Sequence, residues 1–71
     1  MFTKAESITM QLSGVTDMAS RKAAAQVLRG QKGVRSAVVD EGAVASVTYR
    51  ADQTTVDTLT TALARAGYTV I

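Results

Sequence analysis

The middle of the chain reads VRSAVVDEGAVASVTY over residues 34–49. Its segment 40–42, Asp-Glu-Gly, separates two apolar stretches, and a short loop with glycine in a left-handed position is typical of a β-hairpin. A period of two places Ala37 and Val39 on one face of the first stretch. It places Ala45, Val47 and Tyr49 on one face of the second. This part of the sequence therefore predicts two antiparallel strands, Val34 to Val39 and Ala43 to Tyr49.

A helix is predicted on each side of this hairpin. Residues 18–29 before it are mostly good helix formers. Ala24, Val27 and Leu28 recur there at helical spacing and are expected to face a core, and Gly30 and Gly33 end the helix by taking a positive φ. After the hairpin, Asp52 is expected to open a second helix that runs to about Ala66. Its apolar stripe is Val56, Leu59 and Leu63, and Gly67 follows its last turn.

The two ends of the chain add one strand each. Residues 7–12 alternate, with Ile8, Met10 and Leu12 on one face, and residues 68–71 form a short last strand. The order strand, helix, strand, strand, helix, strand predicts an α+β domain of ferredoxin-like βαββαβ topology. In this fold two right-handed βαβ halves give a four-stranded antiparallel sheet with both helices on one face. The open face is expected to carry Thr9, Gln11, Val38, Ser46 and Thr48.

Composition limits the possible functions. The 71 residues suffice for one domain, residues 1–71, and 46% of them are apolar. The chain contains neither cysteine nor histidine, so it has no ligands for an ordinary structural zinc site. No apolar run approaches the roughly 18 residues that span a bilayer, and no apolar h-region follows the first residues. We therefore expect a cytoplasmic protein, or a soluble domain of a larger one, without direct membrane insertion.

The segment 14–20, Gly-Val-Thr-Asp-Met-Ala-Ser, resembles the Gly-Met-Thr-Cys-x-x-Cys loop of heavy-metal-associated domains, which occur in copper chaperones, mercury-binding proteins and metal-pumping ATPases. The resemblance continues through Val27-Leu28 and Gly33-Val34. It extends to Val47 and Tyr49 of the third strand and to the closing Ala66-Gly67-Tyr68. It thus spans about residues 8–70 and implies the same fold and a role in metal trafficking.

The two cysteine positions of that loop carry Asp17 and Ser20 here. Thiolates suit soft ions such as Cu(I) or Hg(II), whereas a carboxylate is a hard ligand and a hydroxyl a poor one. The resemblance therefore predicts a degenerate metal site and no cofactor. The alternative is a transition-metal ion, weakly bound by a noncysteine site in the loop Thr16–Ser20 through Asp17, Met18 and Ser20, or by a site shared across a dimer.

Helix capping is the other interpretation of the same residues, and we favour it. An Asp before a helix accepts hydrogen bonds from free backbone N–H groups, so Thr16 or Asp17 is expected to be the N-cap. The second helix offers a comparison, because Asp52 and Thr55 have the same spacing and no metal site is expected there. Met10 is assigned to the core. Tyr68 is expected to cover the core beside the helix ends.

Five of the eight Lys and Arg residues lie between positions 21 and 35. Arg21, Lys22, Arg29 and Lys32 are predicted to dock an acidic protein domain of a metal-trafficking or membrane-pump system, with Arg35 nearby. A solvated helix surface is the plainer interpretation of the same charges. The net charge of +2 is small, and charge complementarity of this size affects the rate of encounter more than affinity. A homodimer formed through the open sheet face remains an alternative.

Two further classes are disfavoured. RNA-binding domains of this topology stack bases on aromatic side chains of the central strands, and here only Tyr49 lies on them, pointing inward, so no nucleic-acid partner is expected. Acylphosphatases share the fold but need an Arg in the first loop and an Asn, and the segment 13–16 has no Arg while the chain has no Asn. Without His or Cys, no catalytic group is evident. The sequence predicts a docking or regulatory module and not an enzyme.

Overall fold

The computed structural model describes residues 5–71. The elements are β1 (Ala5–Ser13), α1 (Met18–Arg29), β2 (Val34–Val39), β3 (Val44–Arg50), α2 (Val56–Arg65) and β4 (Thr69–Val70). The strands form one antiparallel sheet in the order β2-β3-β1-β4. This is the predicted ferredoxin-like α+β arrangement, with β2 and β4 at the two edges. No helix among residues 5–71 is both long and apolar enough to cross a membrane.

The core lies between the sheet and the two helices. Alternation along β1 buries Met10 and Leu12, and α1 contributes Ala24 and Leu28 at helical spacing. Leu59 and Leu63 of α2 are fully buried against them. On β2 and β3 the inward residues are those that the period of two predicts, namely Ala37, Ala45, Val47 and Tyr49. Burying a leucine side chain contributes about 2 kcal/mol, so packing between these layers is the main stabilising term.

The loop between β2 and β3 differs from the prediction. Ala43 and not Gly42 takes the left-handed conformation, with φ of 61°. The Asp40 carboxylate accepts hydrogen bonds from the backbone N–H groups of Gly42 at 2.9 Å and Val44 at 3.0 Å, which fixes the turn one residue later. Ala43 is buried and its carbonyl accepts from the Leu12 N–H at 2.8 Å. The core contact and this bond offset the roughly 1–2 kcal/mol cost of a left-handed alanine.

The end of α1 is corrected in one respect. Gly30 is the C-cap but keeps a helical φ of −74°, so the positive φ predicted for it occurs only at Gly33, with φ of 88°. A Cβ on Gly33 would lie 2.7 Å from Cβ of Gln53. The carbonyl of Gly33 accepts from the N–H of Arg50 at 2.8 Å. This close approach of two loops explains why a glycine stands there.

The start of α2 was predicted wrongly. Asp52 lies in a turn after β3 and forms an ion pair with Arg50 at 3.5 Å. The N-cap is Thr55, whose side chain accepts from the Thr58 N–H at 3.2 Å. The chain leaves β3 through a turn in which the N–H groups of Gln53 and Thr54 bond to the Arg50 carbonyl, and this delays the helix.

Two apolar residues near the ends of elements also differ from expectation. Val56 is the first residue of α2 and is 38% exposed, so it does not belong to the buried stripe. β4 covers only Thr69–Val70, although the Ile71 N–H still donates to the Gln11 carbonyl at 2.8 Å.

The predicted glycine after α2 is confirmed. The N–H of Gly67 donates to the Ala64 carbonyl and the N–H of Tyr68 donates to the Leu63 carbonyl, as in a Schellman motif.

Candidate functional site

The loop between β1 and α1 is closed by a reciprocal capping box. Asp17 is the N-cap, and its Oδ1 accepts from the Ser20 N–H at 2.8 Å and from the Ser20 hydroxyl. The Ser20 Oγ in turn accepts from the N–H groups of Asp17 at 3.1 Å and Thr16 at 3.2 Å. Two N–H groups that the helix start leaves free, those of Asp17 and Ser20, are thereby satisfied, together with the N–H of the preceding Thr16. Capping was favoured over a metal site, with Thr16 or Asp17 as the N-cap, and the structure shows that the N-cap is Asp17.

Electrostatics support the same role for Asp17. The hydroxyl and the N–H of Ser20, together with the nearby Arg21 guanidinium, hold the pKa of the Asp17 carboxyl below its usual value. A carboxylate at this end of a helix also interacts favourably with the helix dipole. Asp17 is therefore ionised at neutral pH, and its charge serves the helix start.

The backbone before the cap is packed tightly against the end of α2. Gly14 has φ of 86°, and a Cβ there would lie 3.3 Å from the Gly67 carbonyl oxygen and 4.0 Å from the Tyr68 ring. Tyr68 is partly buried against the core, as predicted. The loop that carries Asp17 is thus held in place by the chain that follows α2.

Three of the four predicted docking residues come together beside this loop. Arg21, Lys22 and Arg29 line a groove of about 420 Å³ between α1 and the edge strand β2. Nε of Arg29 donates to the Ala37 carbonyl of β2 at 3.0 Å, which ties the end of α1 to that strand. None of the described residues that line the groove is acidic.

Lys32 does not join this group. It is exposed in the turn between α1 and β2 and does not line the groove. Arg35 is likewise exposed on β2, where the pairing with β3 shifts register between Val34 and Ser36. The five cations that are close in sequence are therefore divided among the groove, the turn that follows α1 and strand β2.

The apolar part of the groove was not predicted from the sequence. Met18, Ala25, Val38 and Val39 line it together with the cations. Val38 lies on the open face of the sheet with Thr9, Ser46 and Thr48, as predicted, and on this edge strand it also borders the groove. Ala25 was not assigned to a buried position. The pair Val38-Val39 could have indicated the apolar part of the groove. Side chains alternate along a strand, so one of two consecutive valines must point away from the core and is exposed on an edge strand.

The residues at the former ligand positions do not fit a soft metal cargo. Two thiolates would be needed, and the chain has no cysteine. Oδ1 of Asp17 and Oγ of Ser20 are both engaged by the capping box. Residues 5–71 contain no group of three or more His, Cys, Asp or Glu that could hold a metal ion. A noncysteine site at Asp17, Met18 and Ser20 stays a prediction.

Among known proteins, this chain is similar to several whose structures have been solved. Neither a protein-family model nor a curated protein matches the chain. Among solved structures, oxidized MerP from Ralstonia metallidurans CH34 is 28% identical, with a TM-score of 0.90 and 96% of each chain covered. A structure solved in work on crosstalk between Cu(I) and Zn(II) homeostasis is 30% identical, with a TM-score of 0.86, 93% of this chain covered and 96% of that one.

A third similar structure is the water-soluble region of the P-type ATPase CopA from Bacillus subtilis. It is 26% identical with a TM-score of 0.91, and the match covers all of this chain but 48% of that one. The fold, the capped loop after β1 and these likenesses define a metallochaperone-type ferredoxin-like domain. The chain belongs to the heavy-metal-associated domain family, and the two cysteine positions of that family's metal loop are occupied by Asp17 and Ser20.

Proposed function

We propose that this chain is a metal-trafficking-type module without a thiolate site, which acts by docking to an acidic protein domain of a metal-trafficking or membrane-pump system. The observation that carries the proposal is the cationic groove formed by Arg21, Lys22 and Arg29 next to the capped loop. The loop lacks the ligands for a soft ion, whereas the residues that line the neighbouring groove include three cations and no acidic side chain. A docking or regulatory role uses this surface and needs no bound metal.

Physical considerations favour a transient interaction. Exposed lysine and arginine side chains contribute about 0.2–1 kcal/mol per ion pair, so a few of them steer encounter and add moderate affinity. The likeness to the water-soluble region of a P-type ATPase supports a partner of that kind. Catalysis is not part of the proposal, since no nucleophile or general base accompanies the groove. We place the module in the cytoplasm or within a larger protein.

The test is a titration of the isotope-labelled protein with an acidic metal-binding domain of a copper-pumping ATPase, followed by NMR at low and high salt. Lys22→Glu is expected to weaken binding about threefold to tenfold at low salt, because attraction at that position becomes repulsion. Arg65→Glu, on α2 and outside the groove, is the matched control and is expected to change affinity less than about twofold. Salt of about 0.5 M is expected to remove most of the difference.

Two results would contradict the proposal. One is an absence of chemical-shift changes at millimolar partner. The other is an equal loss of affinity for Lys22→Glu and Arg65→Glu, which would mean that only the net charge matters.

A further inference from the structure

The groove between α1 and β2 has an apolar part as well as a charged one. Four large apolar side chains are exposed among residues 5–71, and two of them line this groove: Met18, 60% exposed, and Val38, 58% exposed. Ala25, 6% exposed, and the half-buried Val39 are their apolar neighbours. Exposed apolar side chains gathered in one concave region, bordered by polar groups, are typical of a binding surface.

The charged part has a single sign. Arg21, Lys22 and Arg29 stand beside the apolar residues, and Gln26 is the only uncharged polar residue among those that line the groove. Part of the Arg21 charge is offset by the Asp17 carboxylate, whose pKa it helps to lower. Arg29 donates Nε to the Ala37 carbonyl, but a guanidinium has four further N–H donors for a ligand.

The same Arg29 bond argues against one kind of occupant. β2 is an edge strand, and such strands pair readily with a further strand when their backbone groups are free. Here one carbonyl of the edge is occupied by Arg29, and the register of β2 shifts near Arg35. Both features hinder the addition of a further strand at this edge, which favours an occupant that is held through side chains in the groove.

We infer that this groove binds an acidic peptide segment that carries an apolar anchor residue, whose side chain packs on Met18, Val38 and Ala25 while its carboxylates meet Arg21, Lys22 and Arg29. The inference rests on the proposed docking function and specifies the partner. It also assigns different roles to the residues of the basic cluster. Lys32 lies outside the groove and takes no part in binding the peptide.

The probe is a short fluorescent peptide of interspersed glutamate and leucine. Two control peptides accompany it. In the first every leucine is replaced by serine, and in the second every glutamate is replaced by lysine. The glutamate–leucine peptide is expected to bind and to shift the amide resonances of Ala25, Val38 and Val39. Because apolar and charged contacts are both needed, each control peptide is expected to bind at least about tenfold more weakly.

Matched variants locate the contact. Val38→Thr keeps the shape and the β-propensity of the side chain but removes an apolar methyl group, and it is expected to weaken peptide binding about threefold to tenfold. Val56→Thr, an exposed valine outside the groove, is its control and is expected to leave binding within about twofold. Lys22→Gln is expected to weaken binding, and Lys32→Gln to leave it unchanged.

The outcomes distinguish the inference from the proposed function. If Lys22→Gln weakens binding but Val38→Thr does not, the apolar anchor is excluded and acidic docking stands. If Lys32→Gln is as harmful as Lys22→Gln, the groove is not the contact and the inference is overturned. If neither lysine variant matters, both are overturned. Concentration-dependent shifts of the groove residues without peptide would assign the groove to a second copy and also overturn it.

Discussion

Asp17 and Ser20 are bound to each other and to the backbone of the helix that they begin. Both side chains satisfy N–H groups that have no helical partner, so this pair performs a structural task at the positions where the family carries two cysteines. Residue chemistry alone favoured capping here, by Thr16 or Asp17, because Asp and Thr are both good N-caps. The reciprocal bonds to the Ser20 hydroxyl were not predicted. The comparison drawn with Asp52 and Thr55 was wrong in detail, since Thr55 itself caps α2 through Thr58.

The Asp17 cap predicts a specific pH dependence of stability. Its pKa is lower in the folded protein than the ordinary value of 3.8, chiefly through the Ser20 hydroxyl. The stabilisation by the ionised carboxylate is therefore complete above the unfolded pKa and is lost as pH falls through the folded pKa. Asp17→Asn is expected to lower stability at neutral pH while keeping a capping oxygen, and the difference from the wild type should shrink below pH 3.8. Urea unfolding across pH measures it.

A difference between wild type and Asp17→Asn that stays constant from neutral to acid pH would contradict this assignment. Asp57→Asn, in the first turn of α2, is the control for the general loss of a carboxylate near a helix start. It should affect stability less than Asp17→Asn, because Asp57 is not the capping residue.

At the scale of elements, the helices and strands follow the apolar periodicity closely except at their ends. α1 and β2 occupy the predicted residues, and alternation on β3 selected the inward side chains correctly. The N-cap of α2 lies three residues after the predicted one, at Thr55 instead of Asp52. The left-handed residue of the β2–β3 loop lies one residue after the predicted one, at Ala43 instead of Gly42. In the first case the Arg50 carbonyl accepts from the N–H groups of Gln53 and Thr54, which forms a turn where a helix was predicted. In the second the Asp40 carboxylate accepts from the N–H groups of Gly42 and Val44, which moves the left-handed residue to Ala43.

The corrected boundary of α2 predicts different roles for two apolar residues of this helix. Leu59 is fully buried, so Leu59→Ala is expected to lower the free energy of unfolding by about 2–5 kcal/mol through lost burial and a cavity. Val56 is the first residue of α2 and is 38% exposed, so Val56→Ala is expected to change the free energy of unfolding by less than about 0.5 kcal/mol. Denaturant titrations of both variants measure these values. A similar loss of unfolding free energy for the two variants would contradict the start of α2 at Val56. A small loss for Leu59→Ala would contradict the packing of Leu59 in the core.

At the scale of the whole molecule, the scaffold is that of metal-carrying domains although its loop lacks their ligands. MerP and this chain superpose with a TM-score of 0.90 over 96% of each chain. The fold does not depend on a metal, because the core is built from apolar side chains of the sheet and both helices. The positions of the loop and of α1 are therefore kept, while the chemistry at the loop is free to differ.

This separation of scaffold and ligand predicts the response to metal. Native mass spectrometry of the protein with Cu(I), Zn(II) and Hg(II) is expected to show no stoichiometric metal retained at micromolar concentration. The double substitution Asp17→Cys with Ser20→Cys is expected to retain one Cu(I) or Hg(II), because two thiolates would stand at the start of α1. Metal retained by the wild type and lost on Asp17→Ala would instead establish a noncysteine site. Failure of the double variant to bind would show that these positions do not match the ligand positions.

The order of elements, the inward faces of the strands and the presence of a cap at the start of α1 were all predictable from the amino-acid sequence. These features depend on residues close in the chain, through the periods of 2 and 3.6 and through the hydrogen-bonding capacity of Asp and Ser. The left-handed conformation of Ala43, the late start of α2 and the division of the basic cluster were visible only in the folded chain. Local turn bonds to Asp40 and Arg50 act in the first two cases, and groups distant in sequence hold both turns: the Leu12 N–H donates to the Ala43 carbonyl, and the Arg50 N–H donates to the Gly33 carbonyl. In the third case β2 brings Val38 to the same groove as Lys22, while Lys32 stays in the turn. Contacts of that kind leave no periodic signal in the chain.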